Sequence, residues 1–225
     1  VAIPPSINEI YQSAFYNCVS LTEVFIPSTV KIIQNKAFYG CSSLTYISIP
    51  SSVIDFGYSV FGECESLKSI SIPSSIENIQ TEMFIGCKSL QHVTLPIFVY
   101  NIFDNGFQNC TSLEYIIIPS SVKTIGPSCF YNCTSLKQIV IPSSVKTIDS
   151  YCFYKCISLC NVSIRGHLKS IKNNAFSNCE SLEKIDIPST VKLIEDYAFS
   201  GCSSLKHFSI PPLLTIINES SFRNC

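Results

Sequence analysis

A cysteine recurs at every 23rd residue of this 225-residue chain, without an insertion or deletion in any repeat. The ten repeat cysteines are Cys18, Cys41, Cys64, Cys87, Cys110, Cys133, Cys156, Cys179, Cys202 and Cys225. A fixed period of this length is typical of a solenoid, in which one short unit is stacked on copies of itself and contacts only its neighbours. We therefore predict a single elongated array over residues 1–225. Because both ends fall within a unit, we expect an excerpt of a longer array, with signal and anchoring segments outside it.

The first part of each unit has the pattern of a short β-strand. Counting from each repeat cysteine as zero, serine stands at +2 and leucine at +3 in all nine units that continue past it. Branched apolar residues occupy +6 and +8 almost throughout, as in Ile47 and Ile49, and proline usually follows at +9. Alternating β-branched residues that stop at a proline indicate a strand. Copies of this strand one period apart are expected to run parallel.

The second part of each unit predicts less regular structure. An apolar pair at +12 and +15, as in Val30 and Ile33, predicts either a loose turn or a short second strand. A small residue and a phenylalanine at +19 and +20, as in Ala37 and Phe38, predict one helical turn. Position +22 is Asn or Gly in eight of the ten units, which favours a left-handed residue in a tight turn. Stacking such units about 4.8 Å apart buries an apolar column that no unit covers alone.

The unit Cys-Ser-Ser-Leu-Thr-Tyr-Ile-Ser-Ile-Pro-Ser-Ser-Val at residues 41–53 resembles the BspA-type leucine-rich repeat, and the resemblance extends over the whole chain. It implies a leucine-rich-repeat solenoid, rich in β-structure with short helical turns. About ten 23-residue repeats would form a curved right-handed coil with a parallel β-sheet on its concave face. The resemblance also implies a surface protein of bacteria or protozoa that mediates adhesion, host-protein binding or cell–cell association. The outward residues of such a scaffold set its partner.

Three roles compete for the cysteines. Disulfides are disfavoured, because equivalent cysteines point the same way about 4.8 Å apart, whereas a disulfide needs converging β-carbons about 3.8 Å apart. A metal site is disfavoured because no C-x2-C spacing occurs. Buried free thiols acting as small apolar fillers fit best. Cys129 and Cys152 occupy position +19, where most units have a small residue, and we expect both in the core. Cys160 occupies position +4, where the other units have polar residues, so we expect its thiol to be exposed and reactive.

Candidate binding residues follow from the alternation within the strand. With +3, +6 and +8 inward, +5 and +7 face outward on the sheet. The candidates from these rows are Tyr46, His92, Tyr115, Ile117, Gln138, Val140 and Asn161. Among them, Tyr115, Ile117 and Val140 should form a small apolar patch with a polar edge, which is the composition of a protein-contact hot spot. An ordinary exposed strand is the alternative, since outward positions accept aromatic and β-branched residues in any case.

Position +13 supplies a second candidate surface. It holds lysine on four consecutive units, namely Lys123, Lys146, Lys169 and Lys192. Four ammonium groups within about 15 Å are suited to a sulfated glycan or another acidic partner. The alternative is a solvated face on which the lysines are balanced by nearby acids such as Asp149, Glu195 and Asp196.

Several function classes find little support. The formal net charge of −1 does not favour nucleic-acid binding. Apolar runs such as residues 115–118 stop far short of the roughly 20 residues that span a bilayer, so no membrane insertion is expected within this segment. No catalytic, metal or cofactor motif emerges, and the three histidines (His92, His167, His207) stand in separate units. The main break in the repeat replaces Pro-Ser-Ser-Val by Arg-Gly-His-Leu at 165–168, which indicates a bend, a contact site or drift.

These observations predict a non-enzymatic protein-binding module without a cofactor. We expect it to belong to a cell-surface or extracellular protein and to use the concave sheet for adhesion, or for binding a host, matrix or neighbouring-cell protein. Two alternatives stay open. The first is a cytoplasmic interaction scaffold or regulatory repeat, in which free thiols suit a reducing compartment. The second is a passive spacer that binds nothing.

Overall fold

The computed structural model describes residues 1–225, which wind into a solenoid of about nine rungs, each rung being one 23-residue circuit. Short parallel strands form two sides of the coil, and no helix is present. In chain order the strands are β1 (Glu9–Ile10), β2 (Glu23–Phe25), β3 (Ile32–Ile33), β4 (Tyr46–Ser48), β5 (Asp55–Phe56), β6 (Ser69–Ser71), β7 (Asn78–Ile79), β8 (His92–Thr94), β9 (Asn101–Ile102), β10 (Thr124–Ile125), β11 (Gln138–Ile141), β12 (Thr147–Ile148), β13 (Asn161–Ile164), β14 (Ser170–Ile171), β15 (Lys184–Ile185), β16 (Leu193–Ile194) and β17 (His207–Phe208).

The predicted strand is present, and its copies pair in parallel one period apart. We call this side of the solenoid, which contains positions +5 to +8, the strand face. β2, β4, β6 and β8 form one of its sheets, and β11, β13, β15 and β17 form the other. In β2, Val24 is buried between the exposed Glu23 and Phe25, as the alternation predicts.

The second apolar pair lies on a second side, which we call the short-strand side. Of the two structures that its spacing allowed, the short strand is the one observed, as in β3. Val30 and Ile33 are both fully buried. The strands of this side form three sheets, in the orders β1-β3-β5, β7-β9-β10 and β12-β14-β16.

The helical turn predicted near Ala37 and Phe38 is wrong, because the third side is a run of β-turns. Positions +18 and +22 of each rung have positive φ, as at Lys36 (55°) and Gly40 (73°). These residues reverse the backbone twist before a helix can extend. The N–H of Phe38 donates to the Val60 carbonyl of the next rung at 3.0 Å, whereas the N–H of Ala37 donates to Gln34 within its own rung at 3.2 Å. The turns therefore join neighbouring rungs as well as closing each one.

Phenylalanine rings and thiols form two continuous columns in the core. The ten +20 rings stack nearly parallel, with centroids 5.0 to 5.9 Å apart. From Cys41 onward, each repeat thiol donates a hydrogen bond to the phenylalanine carbonyl of the preceding rung, for example Cys87 to Phe61 at 3.0 Å. The thiol is therefore a hydrogen-bond donor as well as a filler.

The expectation that all ten repeat cysteines are buried is wrong at two positions. Cys18 and Cys225 are exposed. They lie in the first and last rungs, where only one neighbouring rung covers them, whereas each of the other eight lies between two rungs and is buried.

Candidate functional site

The strand face exposes the two outward rows. Every candidate residue of these rows, from Tyr46 to Asn161, has an exposed side chain. Pairing between rungs sets their order, since Gln138 lies opposite Asn161 and Val140 opposite Ser163. The inward Ile139 between them is buried, so the pleat separates core from surface at each residue.

The sheet of the strand face is interrupted at the rung that contains Tyr115 and Ile117. Residues 115–118 form no strand, and a single isolated bridge joins Tyr115 to Gln138 of the next rung. A shallow depression lies on each side of this rung. One is lined by His92, Thr94, Leu95, Ile97, Tyr115 and Ile117, and the other by Tyr115, Ile117, Gln138, Val140 and Arg165 among others.

Sequence reasoning missed two residues at the edge of this interruption. Ile97 and Phe98 occupy +10 and +11, where most rungs have Ser-Ser or Ser-Thr, and they are 72% and 57% exposed. The +11 hydroxyl normally donates to the +12 carbonyl of the preceding rung, as Ser121 does to Val99 at 2.6 Å. Phe98 has no hydroxyl to do this, and Ile97 gains no burial, so neither replacement serves the packing of the coil. Comparing the +10 and +11 columns would have found them.

These residues define one surface, which we call the apolar patch: Ile97, Phe98, Tyr115, Ile117 and Val140. Ile117 is the most exposed of them, at 77%. The His92 ring lies 5.7 Å from the Tyr115 ring and forms part of the polar edge.

The predicted break at 165–168 borders the same surface. Arg165 lines the depression beside Val140. Its backbone N–H donates to the Ile141 carbonyl of the preceding rung at 2.9 Å, which extends the hydrogen bonding between β11 and β13 by one residue. Gly166 has φ of +112°, and a β-carbon there would lie 2.8 Å from the Ser143 Cα. The glycine therefore permits a close approach of two rungs next to the patch.

The lysine row lies away from the strand face, beside the short strands. Lys123, Lys146, Lys169 and Lys192 are all exposed. None has a carboxylate within 4.0 Å. Glu195 pairs instead with Lys172 at 2.8 Å, and Asp149 accepts the backbone N–H of Ser150 at 2.9 Å. The acids that were expected to balance the row therefore form no ion pair with it.

The thirteen cysteines are all free. Cys129 and Cys152 are buried and the Cys160 side chain is exposed. Burial raises the pKa of the Cys133 thiol to about 12, so the thiols of the column stay protonated and are poor nucleophiles. No group of three or more His, Cys, Asp or Glu side chains is arranged to hold a metal ion, and no helix is long and apolar enough to cross a membrane.

Comparisons with known proteins agree with this architecture. A family model of the BspA-type leucine-rich repeat region, with six copies, matches residues 8–137 and 100–225. No curated protein matches the sequence.

Three solved structures resemble the chain. A leucine-rich cell-surface protein from Faecalibacterium prausnitzii A2-165 is 31% identical over 100% of this chain and 76% of its own, with a TM-score of 0.61. The pneumococcal vaccine antigen PcpA is 26% identical over 91% of this chain and 64% of its own, with a TM-score of 0.65. A leucine-rich repeat protein of T. pallidum is 27% identical over 81% of this chain and 77% of its own, with a TM-score of 0.56.

Proposed function

The chain belongs to the BspA-type leucine-rich repeat family, and from this premise we propose that it is a non-enzymatic protein-binding module of a cell-surface protein. Its ligand is a host, matrix or neighbouring-cell protein, and the strand face holds it. Binding through this face would mediate adhesion.

The apolar patch is the observation that carries the proposal. Tyr115 and Ile117 are exposed in the rung between β8 and β11, which is not part of a sheet, and Ile97, Phe98 and Val140 are exposed on the rungs on either side of it. Exposed Tyr and Phe beside aliphatic neighbours supply most of the binding energy in protein interfaces when a partner removes them from water. The interior does not need these side chains, since the other rungs form the same core without them.

A polar rim surrounds the patch. Gln138 and Asn161 follow it along one row, His92 precedes it and Arg165 stands at its side. An apolar centre with hydrogen-bonding groups around it is the usual anatomy of a protein interface. The depressions on either side of Tyr115 and Ile117 offer places for side chains of the partner.

The surface location is supported by the similar structures. The protein from F. prausnitzii is a cell-surface protein, and PcpA is a vaccine antigen. Both are similar to this chain over most of its solenoid, so a strand face like the one described here is expected in each of them.

Binding to an array of purified extracellular-matrix and plasma proteins tests the proposal. The variant Tyr115→Ser, Ile117→Ser, Val140→Ser removes the centre of the patch. Its matched control, Tyr11→Ser, Ile54→Ser, Val19→Ser, makes the same three changes at exposed positions away from the strand face. We expect the wild type and the control to bind a member of the array, and the patch variant to bind it about tenfold or more weakly.

Equal binding by the patch variant and its control would contradict the strand-face site. Binding of no protein by the wild type, with the fold intact by circular dichroism, would favour the passive spacer.

The free thiols favour a second candidate, a cytoplasmic interaction scaffold. All thirteen cysteines are unpaired, as is usual in a reducing compartment. Antibody labelling of intact, unpermeabilised cells of the source organism separates the two. Labelling supports the surface module, and labelling only after permeabilisation supports the scaffold.

A further inference from the structure

The lysine row has a geometry fixed by the backbone. The N–H of Lys169 donates to the Lys146 carbonyl at 2.8 Å, and the N–H of Lys192 donates to the Lys169 carbonyl at 2.9 Å. These bonds hold Lys146, Lys169 and Lys192 one rung apart. Lys123 occupies the same position on the rung before them, so the four side chains start from equivalent positions that extend over about 14 Å. The row is therefore a linear array of positive charge along the solenoid axis.

None of the four lysines of the row forms an ion pair within the molecule. Five other lysines, namely Lys88, Lys137, Lys172, Lys184 and Lys206, each lie within 3.3 Å of a carboxylate oxygen. The four lysines of the row have no such partner. Lys123 lies over the Tyr100 ring at 5.1 Å, and the Lys146 ammonium donates to the Ser143 carbonyl at 2.8 Å. These contacts leave donors on both ammonium groups for an outside anion.

Hydroxyl groups run beside the lysines. Thr124, Thr147 and Ser170 follow three of them in the sequence, and the hydroxyls of Thr147 and Ser170 are 3.1 Å apart. The ladder of the short-strand side is interrupted between β10 and β12, and a depression there is lined by Lys123, Thr124, Lys146, Thr147, Asp149 and Lys172. An anionic group seated in this depression would meet ammonium and hydroxyl donors together. The depression also contains the carboxylate of Asp149, and its Lys172 is already paired with Glu195 at 2.8 Å, so Lys123 and Lys146 are the ammonium groups available to the anion.

We propose that the lysine row binds a linear sulfated glycan, on a part of the solenoid separate from the strand face. A sulfated sugar carries several permanent charges on each ring, together with hydroxyls that pair with Thr and Ser. An extended acidic peptide presents side chains on one face only about every 6.8 Å, which does not match rungs about 4.8 Å apart.

Two other polyanions suit the row less well. Single-stranded nucleic acid normally stacks its bases on aromatic side chains, and beside the row only Tyr100, at its beginning, could serve. Proteins that bind anionic membrane surfaces use a broad cluster of basic residues. Here the lysines form one narrow row on a chain of net charge −1.

Heparin binding tests the proposal, measured by calorimetric titration and by the salt concentration that elutes the protein from immobilised heparin. The test variant replaces Lys123, Lys146, Lys169 and Lys192 by Gln. The control variant replaces Lys88, Lys137, Lys184 and Lys206 by Gln, which changes the net charge equally at lysines already paired with carboxylates. We expect the test variant to lose affinity about tenfold or more, since several exposed ion pairs are removed, and the control to change little.

Competition experiments identify the class of ligand. Chemically desulfated heparin should compete poorly with heparin for the wild type. Equal loss of affinity in both variants would overturn the proposal, because it would show an effect of net charge alone. Tighter binding of poly-glutamate, single-stranded DNA or phosphatidylserine vesicles than of heparin would also overturn it. Circular dichroism and thermal unfolding of both variants verify that each is folded.

Discussion

In the first half of the solenoid position +13 holds Lys31, Ile54, Glu77 and Tyr100, whereas in the second half it holds lysine on four consecutive rungs. The interiors of the two halves do not differ in this way. Their phenylalanine rings stack at similar distances, for example 5.9 Å between Phe38 and Phe61 and 5.4 Å between Phe130 and Phe153, and their thiols donate to equivalent carbonyls. One chain therefore contains two outer surfaces on one core. Differences in binding between the halves have to come from outward residues, while both halves should respond alike to changes in the core.

The largest effect expected on both interiors is that of alkaline pH. Burial raises the pKa of the Cys133 and Cys202 thiols to about 12 and that of Cys41 to about 11, from an ordinary value of 9.0. The folded chain thus keeps these protons where the unfolded chain releases them. Stability is full below about pH 9 and falls as pH rises toward 12, by about 1.4 kcal/mol per pH unit for each such thiol. Denaturant titrations with reductant, at about pH 8 and about pH 10, measure the loss.

The double variant Cys129→Ala, Cys152→Ala sharpens this experiment. Both thiols are buried with raised pKa, and alanine is common at their +19 position. The variant should fold at neutral pH. Between about pH 8 and about pH 10 it should lose less unfolding free energy than the wild type, because two of the thiols that cause the loss are absent. Unchanged stability of the wild type over this range would contradict the buried thiol column.

The next effect is the loss of one ring from the stack. Phe61→Ala in the first half and Phe130→Ala in the second each remove a fully buried ring between two neighbours. Each should lower the free energy of unfolding by about 3–5 kcal/mol. Phe25→Ala, at an exposed strand position, is the control and should change it by less than about 0.5 kcal/mol. Clearly unequal losses for the two buried rings would show that the halves differ inside as well as outside.

The smallest effect concerns the apolar patch at the boundary between the halves. Phe98→Ser restores the +11 hydroxyl, which can then donate to the Ile76 carbonyl as Ser121 does to Val99. Stability should stay equal or rise by up to about 1 kcal/mol, and Ser121→Ala should lower it by about the same amount. If the patch binds protein, Phe98→Ser also weakens that binding. Thermal unfolding and the protein-array assay measure the two effects, and a less stable Phe98→Ser variant would show that Phe98 serves packing.

Most of the fold could be predicted because every inward residue contacts its own copies. Seven of the +6 residues, and the Val30–Ile33 pair, are buried where the period places them, while Val93 and Phe208 are partly buried. The helical turn was wrong for a local reason. Position +18 is left-handed in every rung, yet it holds residues as different as Lys36 and Tyr151, so no Asn or Gly pattern reveals it.

The candidate surfaces were predictable only in outline. Alternation placed Tyr115, Ile117 and Val140 outside, but it gave no sign that the sheet stops at that rung. Ile97 and Phe98 depart from the usual Ser-Ser in the sequence, but the repeat pattern predicts its main break at residues 165–168 instead. The acids near the lysine row were visible as well, but sequence distance does not tell which lysine a carboxylate reaches.

The period, the parallel register and the core columns follow from the amino-acid sequence alone, because translation by one rung brings like residues together whatever the outer side chains are. Only the folded chain shows where the hydrogen-bond ladders are interrupted, which two repeat thiols are exposed, and which lysines lack a carboxylate partner. Each of these depends on side-chain and backbone contacts between particular neighbouring rungs, at distances of a few ångströms. A repeat pattern describes the average rung, whereas a binding site is formed where particular rungs differ from it.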